Sequence, residues 1–240
     1  MRMALRSSLL QATWNYERQQ GLGWAWALEP ALDRLYPEAG ERRARLAEHT
    51  AYFNTQPTLA SLALGVVAGL EERRAAGEGL DADAMGRVKS VLGSSLAALG
   101  DRLFWFTLRP LAACLGVLFA VTAGLGPGAL ALLLCYNAVH QPVRALGVGW
   151  GYRDGPSVLS TLRPRFDRLT GRLCAGGAGM VGVLVAALLV PGGAPRPLAF
   201  QALLALGLAL GLLAAQRSRP SPTGWALGVG CLSLAAMWLR

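Results

Sequence analysis

Charge is scarce in this chain: Asp, Glu, Lys and Arg make up 15% of 240 residues, against about 25% in an ordinary soluble domain. That excludes a protein with a fully solvated surface. Lysine is nearly absent, Lys89 being the only one; the net charge of +9 is therefore an arginine charge. The arginines gather at the ends of apolar runs and are not interleaved with aromatics on one face, which argues against a nucleic-acid partner. Cysteine is sparse too. Cys114, Cys135, Cys174 and Cys231 have no C-x-x-C spacing and no histidine neighbours, which excludes a zinc site and a disulfide framework. There is no P-loop, no G-x-S-x-G elbow and no H-E-x-x-H. The sequence points to no catalytic residue, metal or cofactor.

What is present is hydrocarbon. Residues 111–135, 173–191, 198–215 and 223–239 carry no charge, and runs of about 17–25 apolar residues match a bilayer core of about 30 Å. They recur in the second half of the chain, so they are not a cleavable signal. The sequence predicts an all-α fold: a polytopic helical membrane protein with an amphipathic N-terminal region, re-entrant or broken helices and several transmembrane spans. Four regions follow: amphipathic, cytoplasm-facing helices over 1–58, re-entrant hairpins and a transmembrane core over 59–135, a basic loop over 136–172, and transmembrane helices over 173–240. The loop holds Arg144, Arg153, Arg163, Arg165, Arg168 and Arg172 against Asp154 and Asp167. The positive-inside rule makes it cytoplasmic, with the N-terminus inside and the C-terminus outside.

Locally, "RSSLLQATWNYERQQGLG" has the spacing of an amphipathic helix, and "EPALDRLYPEAGERRARLAEHTAYF" reads as two helices parted at Pro37. "VKSVLGSSLAALGDRLFWFTLRP" reads as a short apolar segment, a break at Gly100-Asp101 and an aromatic half-helix stopped at Pro110. Trp24 and Trp26 read as interfacial anchors.

Three polar clusters stand out: Asn15, Glu17 and Gln20; Asn54, Thr55 and Gln56; and Asp101 with Arg102 and Arg109. Amides and carboxylates backed by tryptophan are what a sugar's hydroxyls and ring face require. Each cluster also has a plainer reading. Asn54-Thr55 could cap a helix before Pro57, and Asp101 could pair with Arg102 or Arg109, since an unpaired charge at membrane depth is costly. His49 and His140 read as cap or surface histidines, with no phosphate-cradling loop around either.

In this order the clusters resemble the IID membrane component of the mannose/fructose/sorbose family of the bacterial phosphoenolpyruvate-dependent sugar phosphotransferase system. "RSSLLQATWNYERQQGLGWAWALEPALDRLYP" is similar to its N-terminal block and "HTAYFNTQP" to the one that follows. "GLEERRAAGEGLD", "GDRLFWFTLRP" and "YNAVHQPVRALGVGWGYRDG" match three more. The resemblance implies a non-catalytic subunit of the inner (cytoplasmic) membrane that joins a IIC subunit to translocate a hexose. Cytoplasmic IIA and IIB partners would carry the phosphate, and IIC–IID units would assemble as a homo-oligomer. Polar groups flanked by short apolar segments would each cost a few kcal/mol if buried without partners, so Asn15, Glu17, Gln20, Asn54, Thr55 and Asp101 are expected to converge on a sugar site at the contact with IIC, near the membrane midplane or its cytoplasmic edge. Ser94-Ser95 replaces the family's proline-containing run, and Arg102 replaces a small or uncharged residue. Both leave open a degenerate paralogue with a structural or regulatory role.

Overall fold

Polar residues fix where the helices start and stop. The computed structural model describes residues 1–189; the spans expected over 198–215 and 223–239, and Cys231, lie outside them. A short helix α1 (Arg2–Arg6) and a 3-10 turn over Ser7–Leu9 lead to α2 (Gly21–Leu35) and α3 (Ala39–His49), separated at Pro37. Next come α4 (Ala60–Ala75) and α5 (Ala82–Gly100), a π-helical segment over Asp101–Leu108, and α6 (Arg109–Ala123). After α7 (Leu125–Asp154) and a 3-10 turn over Gly155–Ser157, α8 runs over Val158–Leu189. Met1–Gly177 forms one unit and a second begins at Ala178. Among the described residues there is no β-strand, only isolated bridges of Gln19 to Asn15 and Phe53.

The stretch expected as an amphipathic helix near the N-terminus is mostly turn. Asn15 ends the helical pattern, because its Oδ1 accepts the Arg18 N–H at 2.8 Å while its carbonyl takes the Gln19 N–H at 2.9 Å. Gln19 then adopts φ +52° and α2 starts two residues later. Within α2, Pro30 has no N–H to give the Trp26 carbonyl. Arg6 supplies the missing donor at 2.8 Å, stacks on the Trp26 ring and pairs with Glu29 at 2.5 Å.

Helix α4 is apolar all round for its first three turns and is buried on every face, as such a helix must be. Gln56 caps it: Oε1 accepts from the N–H groups of Thr58 at 2.8 Å and Leu59 at 3.1 Å. The capping role expected of Asn54-Thr55 therefore belongs to the next residue. Glycine lets α7 lie directly on α4. A Cβ at Gly65 would meet the Val148 carbonyl oxygen at 2.1 Å, and one at Gly151 the Leu62 oxygen at 2.0 Å.

Three boundaries differ from the sequence reading. No break occurs at Gly100-Asp101; α5, the π segment and α6 form one rod over Ala82–Ala123, the single helix among the described residues long and apolar enough to cross a membrane. Pro110 does not stop it: it lies two residues after the π segment, and the rod continues through it into α6. The uncharged run 111–135 is not one span but turns at Gly124, φ +102°, into an antiparallel pair of α6 and α7. Residues 136–172, expected as a loop, belong almost wholly to α7 and α8.

The α4–α7 contact is testable. Gly151→Ala should destabilise the detergent-solubilised chain by about 1–3 kcal/mol, the usual cost of overpacking. Gly149→Ala, on the same helix with open space around its Cα, should leave the thermal midpoint unchanged or raise it. Equal effects of the two would refute a backbone-to-backbone contact.

Candidate functional site

The loop before α2 and the loop before α4 are joined through one amide. The Gln20 side chain donates Nε2–H to the Thr55 carbonyl at 2.8 Å and accepts the Thr55 N–H on Oε1 at 3.0 Å. Its own N–H reaches the Phe53 carbonyl at 2.9 Å. Thr55 then donates its hydroxyl to the Gly93 carbonyl on α5 at 2.9 Å. A Cβ at Gly100 would strike the Gln56 Cβ at 2.6 Å, so this loop lies along α5 from Gly93 to Gly100.

A cleft of about 750 Å³ opens against this loop, lined among others by His49, Tyr52, Asn54, Lys89, Ser90 and Ser94. Lys89 is buried, its Nζ 3.3 Å from the His49 carbonyl and 5.5 Å from the Trp24 ring centroid. Trp24 itself is fully buried against Phe53, which corrects its reading as an interfacial anchor; Trp26 remains partly exposed.

Behind the cleft lies a charge the sequence reading passed over. Glu71 on α4 has no solvent exposure. Its carboxylate accepts the Tyr36 hydroxyl at 2.6 Å, faces His49 Nε2 at 3.1 Å and lies 3.4 Å from Arg74, which also holds Glu48 at 2.7 Å. His49 is thus an interior residue and not a surface or cap histidine. Burial holds its pKa below the ordinary 6.5, the hydrogen bond to Glu71 opposing. Burial pushes Glu71 upward, but the hydrogen bonds from His49 and Tyr36, with Arg74 nearby, hold it below 4.5. Burial and the neighbouring carboxylate together push the Tyr36 phenol up. Glu71 was findable: it falls four residues after Val67, on the continuing face of an apolar helix where an acid needs partners.

The six residues expected at a sugar site divide in the structure. Gln20 and Thr55 bind each other, Asn54 is exposed on the cleft wall, and Asp101 follows Gly100 on the rod and does not line that cleft. Asn15 shapes the turn before Gln20, while Glu17 points to solvent with only Arg18 near it, at 3.9 Å. Neither pairing expected for Asp101 occurs. Arg102 pairs with Asp167, and Arg109 stacks on Trp105 at 5.3 Å, leaving Asp101 without an ion pair among the described residues.

The match to known proteins follows this architecture. The family model for the mannose/fructose/sorbose phosphotransferase IID component covers residues 1–191. The chain belongs to that family. It is 39% identical over 188 residues to the mannose-specific EIID component of Escherichia coli K12, covering 78% of this chain and 64% of that one. It is 38% identical to the sorbose-specific EIID component of Klebsiella pneumoniae, over 76% of this chain and 67% of that one. The chain thus spans about two thirds of the length of these relatives. Among solved structures, it is similar to a chain in a cryo-EM complex of the mannose transporter ManYZ with microcin E492, at 38% identity and TM-score 0.62, over 77% of this chain and 68% of that one. Another, described only as a membrane protein, matches at 30% identity and TM-score 0.69 over 99% of this chain and 94% of that one. The family is one of membrane components of sugar uptake.

Both His49 and Glu71 are held below their ordinary values when folded, so each takes up a proton more readily when unfolded. Their stabilisation is complete above about pH 6.5 and is lost as the pH falls, first through His49 and then through Glu71. The slope is at most about 1.4 kcal/mol per pH unit for each proton. The thermal midpoint should therefore fall between pH 7.5 and 5, and His49→Gln should flatten that decline. A pH-independent midpoint would contradict the arrangement.

Proposed function

We propose that this chain is the IID half of a sugar-translocating membrane unit completed by a IIC subunit, with IIB phosphorylating the hexose on the cytoplasmic side and IIA recharging IIB. In this reading the protein is non-catalytic and crosses the inner membrane several times, with its N-terminus cytoplasmic; IIC–IID units assemble further into an oligomer. Family membership supports the division of labour, and likeness to a chain of a ManYZ complex supports a two-component transporter. His49 also supports a non-catalytic role, since its Nε2 is buried against Glu71 and not open to a phosphoryl donor.

The observation that carries the sugar reading is the lone carboxylate. Asp101 opens the π segment directly after Gly100, the residue against which Gln56 of the Asn54 loop packs, and its two nearest arginines in sequence are committed elsewhere. A carboxylate and an amide can accept from and donate to a sugar's hydroxyls. Asn54 and Asp101 supply these groups, with Asn15 and Glu17 on the adjoining turn, while Gln20 and Thr55 hold the loop in place. Arg102, the substitution that suggested a degenerate paralogue, pairs with Asp167 and does not neutralise Asp101.

The test uses the chain reconstituted with IIC. Asn54→Ala and Asp101→Asn should each weaken sugar binding about tenfold, the worth of one charge-assisted or well-placed hydrogen bond, with assembly intact. Gln20→Ala should instead lower thermal stability by about 1–3 kcal/mol, because it leaves the buried Thr55 backbone groups unpaired. Unchanged affinity in both of the first two variants would move the site onto IIC alone.

A further inference from the structure

One buried guanidinium lacks a carboxylate partner among the described residues. Arg144 on α7 is 9% exposed, and its polar side-chain contact there is His140 Nε2 at 3.3 Å. Among the described residues the Arg144 Nε–H has no acceptor. His140 uses Nε2 as acceptor, so the proton sits on Nδ1, which has no partner among them either. From Arg109 to Gly147 the sequence contains no Asp or Glu, and none occurs after Asp167. No side-chain carboxylate within or beyond this hairpin can therefore answer Arg144 from sequence-adjacent positions, and Asp154 and Asp167 are already paired. An uncompensated buried charge costs several kcal/mol, and one within a membrane protein points to a partner.

The surroundings indicate which. Leu132, Tyr136, His140 and Arg144 recur every fourth residue and so form one stripe of α7. The Tyr136 and His140 rings lie 5.2 Å apart. Toward Leu132 the stripe enters a groove of about 370 Å³ between α6 and α7, floored by Ala112 and Ala113 and edged by Tyr136, Trp105 and Arg109. Arg109 is exposed and pairs with no carboxylate among the described residues; it rests on the Trp105 ring. One end is cationic and rich in free donors, and the other is an apolar trough. Outside it, Val117, Phe119, Leu130 and Leu133 are exposed along the same two helices, as on a surface that faces hydrocarbon.

We propose that this strip binds an anionic phospholipid, its phosphate between Arg109 and Arg144 and an acyl chain over Ala112, Ala113 and Leu132. Aromatic and arginine groups at a headgroup, continuous with an apolar groove, are the elements such a site needs. A partner protein's carboxylate would answer the charge but would leave the groove without a purpose. The proposal does not depend on the sugar reading, only on the α6–α7 pair lying in a bilayer.

The full chain, purified in neutral detergent, is mixed with phosphatidylglycerol or with phosphatidylcholine of the same acyl chains, and retained lipid is read by native mass spectrometry. Phosphatidylglycerol should be preferred, and Arg109→Gln and Arg144→Gln should each weaken its retention about fivefold, the usual worth of one basic residue at an anionic headgroup. Arg109 is exposed, so its variant reports on binding even if Arg144→Gln folds poorly. Equal retention of both lipids, or retention unaffected by Arg109→Gln, overturns the proposal. So does loss of IIC co-purification in a folded Arg144→Gln chain that still holds phosphatidylglycerol, which would make the occupant a protein carboxylate.

Discussion

A carboxylate with no access to water sets the terms for the N-terminal half. Glu71 can remain charged inside α4 only if donors surround it, since an isolated buried charge is prohibitively costly. Tyr36 comes from the end of α2, His49 from the end of α3, and Arg74 from the next turn of α4 itself. Each partner sits at a helix terminus, so satisfying one carboxylate fixes where two other helices must end. Arg74 extends the arrangement to Glu48, and the His49 carbonyl extends it to Lys89 on α5. The apolar contacts of this region are numerous but interchangeable; the donor positions around Glu71 are not.

The loop proposed to meet the sugar is built on that frame. With α3 ended at His49, the chain from Thr50 to Pro57 must cross to the start of α4, and it does so along α5. Glycine makes the path available at Gly100, where a side chain would collide with Gln56, and eases it at Gly93, where a Cβ would crowd the Asn54 carbonyl at 3.1 Å. Gln20 clamps the same loop from the other side with an amide that imitates a strand's backbone. The result is a held backbone that presents Asn54 at a cleft and packs Gln56 against Gly100, the residue before Asp101. Rigidity of this kind is what hydroxyl recognition demands, because each loosely held contact would be offset by the entropy of ordering it.

How far all this could be read in advance depended on the range of the interaction. The division of α2 from α3 was legible, because Pro37 acts on its own neighbours. The all-helical character was legible too, since it rests on composition and periodicity. The polar clusters were visible as clusters, but Gln20 and Thr55 bond across 35 residues, and no local pattern announces such a pairing. The continuity of α5 into α6 was hidden for a related reason: Gly100-Asp101 looks like a break until the π segment absorbs it. Likewise, an uninterrupted apolar run over 111–135 suggested one span, and only the positive φ of Gly124 makes it two helices. Trp24 misled because aromatic residues suit an interface and a core equally well by composition.

What the chain satisfies internally also marks what it does not. Glu29, Glu48, Glu71, Asp154 and Asp167 each have a cationic partner. Arg102 goes to Asp167 and Arg109 to an aromatic face, so Asp101 stays alone at one end of the π segment. Arg144 stays alone on the helix facing the other end. The two do not neutralise each other, although pairing would relieve both. Under the two readings proposed above, each of these charges is held for a ligand, a sugar's hydroxyls at Asp101 and a phosphate at Arg144. The π segment lies between them in the chain's packing: Asp101 opens it, and its Phe104 ring lies 6.1 Å from the ring of His140, the residue that contacts Arg144.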